Sequence, residues 1–263
     1  MSTALVTGAS GGIGKAFAEE LAARNTNLVL VARSAEKLNH LAIKLQEQYK
    51  IRVDVIVKDL TVTGATDEVF NTTKEQGLTI DLLINNAGFG DYGDFAERDG
   101  IRQLQMIKLN VLALVDLTHK FLPLMRQQRS GSIINVASIA GFQPIPYLSV
   151  YAASKAFVLS FSEALWAENR DYGVSILVVC PGPTETSFFT EAQLPESLVA
   201  GNNKISTPQE VVRDALQALA KGDPTVVSGS LISQVIVNIH RFLPRKSLVE
   251  TLRKQFKSKP RNK

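Results

Sequence analysis

Cysteine is almost absent from this chain. Cys180 stands alone, so no internal disulfide can form, and a reducing compartment fits. Histidine is nearly as scarce. His40, His119 and His240 have no partners at metal-ligand spacing, so no metal site is expected. No apolar run reaches about 18 residues, so no transmembrane helix is expected. Met1 leads straight into Ala4-Leu5-Val6 with neither a basic stretch before it nor a cleavage site after it. No secretory leader is therefore expected, and a cytoplasmic location is. There is no internal repeat, no low-complexity segment and no Pro/Gly/Ser-rich linker. What remains is ordinary for an ordered globular protein: 263 residues, 45% hydrophobic and 21% charged. That length suits one large α/β domain better than two small ones.

Positive charge is scarce over most of the chain and concentrated at one end. The formal net charge is +4, from 29 Lys and Arg against 25 Asp and Glu. Nine of the basic residues and one Glu fall between Arg241 and Lys263, a net of +8, which leaves 20 against 24 for residues 1–240. The expected division is a single body, residues 1–240, and a basic helical extension, residues 241–263. A solvated, partly frayed end is the plain reading of that extension; attraction to an anionic surface or acidic partner is the sharper one. No nucleic-acid partner is expected.

The apolar pattern alternates between short β-rich runs and longer helical stretches. Strands are expected at Thr3–Thr7, Leu28–Ala32, Arg52–Val57, Ile80–Asn85, Gly131–Ala137, Val174–Pro181 and Thr225–Ser228. Nearly continuous apolar runs of this kind suit a parallel sheet buried on both faces. Helices are expected near Gly12–Arg24, Ala35–Tyr49, Gly64–Gln76, Gly100–Gln128, Ser149–Tyr172 and Pro208–Lys221. The fold class that follows is α/β, a doubly wound parallel sheet (Rossmann-type) of about seven strands flanked by helices. Thr184–Ile205 has no clear periodicity and is expected to be a functional loop. The last 35 residues read as two short helices broken at Pro244.

Thr7-Gly8-Ala9-Ser10-Gly11-Gly12-Ile13-Gly14 follows the first strand and opens the first helix. Glycines there let the backbone turn sharply and approach a pyrophosphate, which the helix N-terminus meets with free N–H groups and a positive dipole end. The second strand ends Ala32-Arg33-Ser34, where a NAD-binding fold usually carries an acid for the ribose hydroxyls. A carboxylate would repel a 2′-phosphate, whereas the Arg33 guanidinium can grip one with two charge-assisted hydrogen bonds. NADP is therefore the expected cofactor.

The chemistry is expected from three side chains. Ser138 ends the fifth strand, and Tyr151 and Lys155 sit at i and i+4 on one face of the following helix. A phenol can give a proton to a carbonyl oxygen, but its free pKa of about 10 makes it reluctant near neutrality. A lysine ammonium nearby favours the phenolate and brings it towards working pH.

Gly8, Gly12 and Gly14 stand at the spacing T-G-x-x-x-G-x-G, and Tyr151 and Lys155 at Y-x-x-x-K. The chain resembles the short-chain dehydrogenase/reductase family in both, and the match runs from Thr3 to about Thr186. The resemblance implies further roles. Ala32-Arg33 looks like NADP-preferring members, with Ser34 adding a hydroxyl. Asp59 meets the adenine amino group, helped by the Leu60 backbone. Asn86, Ala87 and Gly88, in Asn85-Asn86-Ala87-Gly88, line the cofactor groove. Lys155 also bonds the nicotinamide ribose, Ser138 holds the substrate oxygen, and Asn110 binds a water linking Lys155 to solvent. In Pro181-Gly182-Pro183-Thr184-Glu185-Thr186, the Thr184 backbone and the Thr186 side chain hold the carboxamide. The subgroup it looks like is a broad bacterial one near the acyl and steroid reductases.

Phe89, Phe142, Pro144, Ile145, Tyr147, Phe188 and Phe189 are expected to line the substrate site, which suits an apolar or amphipathic carbonyl compound. The reading is an NADP(H)-dependent oxidoreductase interconverting a carbonyl and an alcohol. The alternative is a non-catalytic NADP(H)-binding regulator; an epimerase or dehydratase would need a larger substrate domain. The helices Gly100–Gln128 and Ser149–Tyr172 carry more apolar surface than one sheet face needs, so a homodimer or homotetramer is expected, as in the resembled family. Cys180 and Trp166 are expected to pack and His119 to be solvated. In the tail, Leu248, Val249, Leu252 and Phe256 recur at helical spacing, flanked by Lys246, Arg253, Lys254 and Lys257. That stripe can pack on the protein or on a neighbouring subunit, the favoured reading, or lie on an anionic bilayer.

Overall fold

A computed structural model of the chain describes residues 1–195, 198, 205–229, 234, 237 and 244–257. The strands are β1 (Thr3–Thr7), β2 (Asn27–Ala32), β3 (Val53–Val57), β4 (Leu82–Asn85), β5 (Gly131–Val136), β6 (Val174–Pro181) and β7 (Thr225–Ser228). All run parallel in one sheet, in the order β3-β2-β1-β4-β5-β6-β7. The helices are α1 (Gly12–Ala23), α2 (Ala35–Tyr49), α3 (Ala65–Glu75), α4 (Gly100–Ile107), α5 (Leu114–Gln128), α6 (Ser149–Asn169), α7 (Phe188–Glu191), α8 (Pro208–Lys221) and a C-terminal helix (Arg245–Phe256).

The apolar strands make sense because both sheet faces are covered. Ala4, Val6, Leu28 and Leu30 pack with Phe17 of α1, Leu38 and Leu45 of α2, and Val211 and Ala215 of α8. Their alternates Leu5, Val29 and Val31 pack with Val69 of α3 and Leu117, Phe121 and Met125 of α5. Strand alternation thus feeds two apolar layers instead of one layer and solvent. The chain builds β1 to β3 outward, then returns to lay β4 on the other side of β1. That reversal opens a crevice at the C-terminal ends of β1 and β4, where ligands of such sheets bind.

The helix expected over Gly100–Gln128 is interrupted. Lys108–Ala113 is a π-helical segment between α4 and α5, and Asn110 lies within it. An apolar stripe does not register one widened turn, so periodicity alone reads straight through it. Helix α8 has clear boundaries: Thr207 and Glu210 form a capping box, Pro208 opens the helix, and Gly222 ends it in the left-handed conformation. Of the aperiodic stretch Thr184–Ile205, the described part contains the short α7; residues 196, 197 and 199–204 lie outside the described residues. Of the two tail helices, the one after Pro244 is present. His240, Arg241, Phe242, Leu243 and residues 258–263 also lie outside the described residues.

Candidate active site

The glycine loop leaves β1 at Thr7 and enters α1 at Gly12. Gly8 and Gly12 adopt φ of +67° and +52°, the left-handed region that penalises a side chain. A Cβ on Gly14 would strike the Gly8 carbonyl oxygen and come within 2.5 Å of Asn86 Nδ2. The helix that follows has no side-chain cap from Gly11 and no acidic residue in its first turn. Its N-terminal N–H groups and dipole are therefore left for an anion. Beside Gly11 the loop is open: a Cβ there would meet nothing within 4 Å. The residues present fit a dinucleotide pyrophosphate.

The two adjacent asparagines do separate jobs. Asn85 points its amide into the protein, donating to Thr118 Oγ1 at 3.0 Å and Asn135 Oδ1 at 2.9 Å. Asn86 turns towards the glycine loop and donates to the Thr7 carbonyl at 2.9 Å. The Thr7 hydroxyl accepts the N–H groups of Asn86 and Ala87, each at 3.0 Å. These bonds meet most of the cost of placing amides at a buried strand end, with the Asn85 Oδ1 left unpaired. Across the groove, Pro181 ends β6 and the Gly182 N–H donates to Ser228 at 2.8 Å. The Thr184 hydroxyl donates to the Gly182 carbonyl at 2.9 Å. Thr186 reaches the glycine loop, where a Cβ on Gly12 would meet its methyl at 3.0 Å.

At the end of β2, Ala32 is buried and Arg33 exposed, with no carboxylate in the position an NAD ribose would use. The Ser34 hydroxyl accepts the Lys37 N–H at 3.4 Å and caps α2, which leaves its own proton to donate. Asp59 uses Oδ1 to accept both the N–H and the O–H of Thr61, at 2.9 and 2.8 Å. Burial raises its carboxyl, but the Thr61 bonds and the nearby Arg33 charge outweigh that and hold it below the usual value. Leu60 is buried in the core beneath.

Ser138, Tyr151 and Lys155 come together at the C-terminal end of β5. Ser138 caps the turn Ile139–Phe142 through the Ala140 N–H at 3.1 Å and hydrogen-bonds the Tyr151 phenol. Tyr151 and Lys155 are both buried. Lys155 Nζ donates to the Val136 carbonyl at 2.8 Å and lies 5.9 Å from the Tyr151 ring centroid. Asn110 Oδ1 accepts the Phe89 N–H at 3.1 Å, and its Nδ2 donates to the Phe89 carbonyl at 3.0 Å and Ser154 Oγ at 3.1 Å. Both amide protons are thus engaged, so a water here must use the main chain or the second lone pair of Oδ1.

The electrostatics differ from the expectation of a phenol brought down by Lys155. Burial pushes Tyr151 up to about 12, and the Ser138 bond recovers only part of that. Burial likewise pushes Lys155 down to about 8, and Cys180 up to about 12, so the thiol is a neutral neighbour. Desolvation outweighs a cation that sits well off the ring and is bonded elsewhere.

On the substrate side, Tyr151 belongs to an apolar cluster with Tyr92, Met106, Ile145 and Leu148, joined by Phe89, Tyr147, Phe188, Leu194, Leu198 and Phe256. Phe188 lies 5.1 Å from the Tyr151 ring. Three expected lining residues do not join it. Phe142 packs instead with Val158, Val178 and Cys180, because the turn that Ser138 caps carries it against α6 and β6. Pro144 is exposed. Phe189, the third, touches the cluster only by sitting edge-on to Phe188 at 6.1 Å. Phe256 was legible only as part of the tail's stripe. In the structure Leu252 is buried, Phe256 reaches the Tyr151 cluster, and the Tyr92 hydroxyl donates to the Phe256 carbonyl. Trp166 packs, its indole N–H donating to Gly222 at 3.1 Å, and His119 is exposed. Among the described residues, no three His, Cys, Asp or Glu gather as metal ligands, and no helix is long and apolar enough to cross a membrane.

The family profile for short chain dehydrogenases matches residues 2–197. The chain belongs to the short-chain dehydrogenase/reductase family. A very-long-chain 3-oxoacyl-CoA reductase of Anas platyrhynchos is 38% identical over 185 residues, which is 68% of this chain but 58% of that protein. A 17-beta-hydroxysteroid dehydrogenase type 3 of Mus musculus is 32% identical over 258 residues, covering 96% of this chain and 80% of that one. Among solved structures, a short-chain dehydrogenase from Sphingobium yanoikuyae in complex with NADPH superposes with a TM-score of 0.80 at 33% identity, covering 86% of this chain and 87% of that one. Family membership accounts for the shared Rossmann-type sheet.

Proposed function

We propose that this chain is an NADP(H)-dependent oxidoreductase that interconverts a carbonyl and an alcohol on an apolar or amphipathic substrate. The observation that carries the reading is the meeting of Ser138, Tyr151 and Lys155 between an uncapped glycine-loop helix and an apolar cluster. Gly8, Ser10, Gly12, Ile13 and Gly14 hold the pyrophosphate, Arg33 and Ser34 the 2′-phosphate, and Asp59 and Leu60 the adenine. Asn86, Ala87 and Gly88 form the groove floor, Lys155 holds the ribose, and Pro181, Gly182, Thr184 and Thr186 hold the carboxamide. When bound, the reduced cofactor supplies the hydride.

The protein supplies the proton. Ser138 Oγ donates to the substrate carbonyl oxygen and fixes it beside Tyr151. The phenol, held protonated by burial, gives its proton to that oxygen as negative charge develops there. Lys155 then faces a phenolate, which its charge stabilises, and a water at Asn110 returns the proton from solvent. Reduction therefore needs no prior ionisation of Tyr151. Oxidation needs the phenolate and should rise with pH across the neutral and alkaline range.

The relatives named above act, by name, on a 3-oxoacyl thioester and on a hydroxysteroid. The first offers a carbonyl and the second an alcohol, the two sides of one interconversion, each on a large apolar body of the kind the aromatic cluster here suits. The C-terminal helix is assigned to the wall of that cluster, because Leu252 and Phe256 turn inward. A homodimer or homotetramer is proposed from Ile101, Leu104, Leu112 and Phe157, apolar and exposed on α4, the π segment and α6; light scattering at micromolar concentration checks it.

The test is NADPH oxidation against a panel of steroid ketones, 3-oxoacyl thioesters and small sugars. Turnover of the apolar ketones is expected, faster with NADPH than with NADH. Tight NADPH binding with no oxidation across the panel would overturn the reading in favour of a regulatory binder.

A further inference from the structure

Asp91 lies in the loop after β4, and its side chain has no exposed surface. Four donors meet its carboxylate. Arg98 contributes Nε at 2.8 Å and Nη2 at 2.5 Å, Arg102 contributes Nε at 2.9 Å, and Gln103 contributes Nε2 at 2.6 Å. Burial by itself raises this carboxyl, but the hydrogen bonds and charges of the two arginines hold it below the ordinary carboxylate value. Asp91 is therefore a buried charge at neutral pH, and the chemistry above does not use it. Such a charge is tolerated only where its partners are fixed in place, so what those partners reach next matters.

Both guanidiniums reach the segment around α7. Arg102 Nη2 donates to the Glu191 carbonyl at 2.8 Å, and Arg98 Nη2 donates to Gln193 Oε1 at 3.1 Å. Between those positions, the Tyr92 N–H donates to the Ala192 carbonyl at 2.9 Å. Three successive residues, Glu191, Ala192 and Gln193, are thus each held from the Asp91 neighbourhood. At the start of α7, Phe188 sets the tip of its ring against Gly90, where a Cβ would come within 2.7 Å of its Cζ. On its other side Phe188 meets Tyr151.

We propose that Asp91, acting through Arg98 and Arg102, is a positioning residue that holds α7 against the catalytic tyrosine and so sets the substrate wall made by Phe188. It orients two guanidiniums whose remaining donors grip α7. Without the carboxylate those two cations repel each other and lose their common anchor. The kinetic consequence rests on the oxidoreductase reading; the holding of α7 does not.

The experiment therefore has an arm independent of turnover. Full-length Asp91→Asn, free of cofactor, is digested with chymotrypsin and cleavage after Phe188 or Phe189 is followed. A rate about fivefold or more above wild type is expected, as local opening becomes easier. In the kinetic arm, KM for a bulky ketone should rise about tenfold with kcat within about threefold, while NADPH affinity stays level. Should Asp91→Asn fail to fold, Arg102→Gln decides. Arg102 is partly exposed, and its loss keeps the Arg98–Asp91 pair while cutting the bond to Glu191. Cleavage and KM both within about twofold of wild type in the folded variants, at unchanged melting temperature, overturn the proposal. If no ketone is turned over by any form, the oxidoreductase reading fails and the cleavage arm still rules on Asp91.

Discussion

The two halves of the site are held together by different forces. The cofactor half is backbone and short polar side chains: the glycine loop, the Asn86–Thr7 bonds, the Thr184–Gly182 bond. Its shape is set by positive φ angles, by the local Thr184–Gly182 bond and by Asn86–Thr7 bonds between strands that the sheet already places side by side. The substrate half is apolar side chains from the loop after β4, from α4, from Ile145–Tyr151, from α7 and from the C-terminal helix, with one buried carboxylate bonded from α4 and the loop before it. Hydrogen bonds of fixed geometry tolerate little change, so the first half suits one invariant ligand. Apolar packing is non-directional and accepts volume-conserving swaps, so the second half can be retuned for different substrates on the same chemistry.

The sharpest test lies at the seam. Tyr151→Phe removes only the hydroxyl proposed to move the proton, and it should cut kcat by about 10²–10⁴-fold while leaving NADPH affinity nearly intact. Retention of more than a few per cent of wild-type turnover would mean that another group gives the proton. Smaller, and confined to the cofactor half, is Arg33→Asp. A phosphate clamp becomes a repelling carboxylate, which should shift the NADPH/NADH preference by roughly 2–4 kcal/mol, read from the two cofactor dissociation constants. Unchanged selectivity would show that Arg33 does not meet the 2′-phosphate. The smallest effect belongs to the substrate half. Phe256→Ala should raise KM for a bulky ketone several-fold and cost about 1–2 kcal/mol of stability, less than a fully buried phenylalanine because Phe256 is only partly covered. NADPH affinity should be untouched. A change in cofactor affinity as large as the change in KM would dissolve the distinction between the halves.

The sequence by itself determined the sheet and the local geometries of the proposed cofactor half. Apolar runs such as Leu28–Ala32 mark strands buried on both faces. The Gly8, Gly12 and Gly14 spacing, and the i, i+4 relation of Tyr151 and Lys155, are local geometries that a short stretch of chain fixes without help from the rest. Tertiary structure decided the remainder. Only packing between segments distant in sequence could bring Phe256 to Tyr92, turn Phe142 away from the site, and bury Asp91 under two arginines that hold α7. The resting ionisation of the catalytic pair was also a tertiary outcome. The motif places a cation one turn from a phenol, but the depth at which both are buried, not their spacing, moves Tyr151 up to about 12 and Lys155 down to about 8. Spacing along a helix is written in the local sequence, whereas the exclusion of water is a property of everything packed around it.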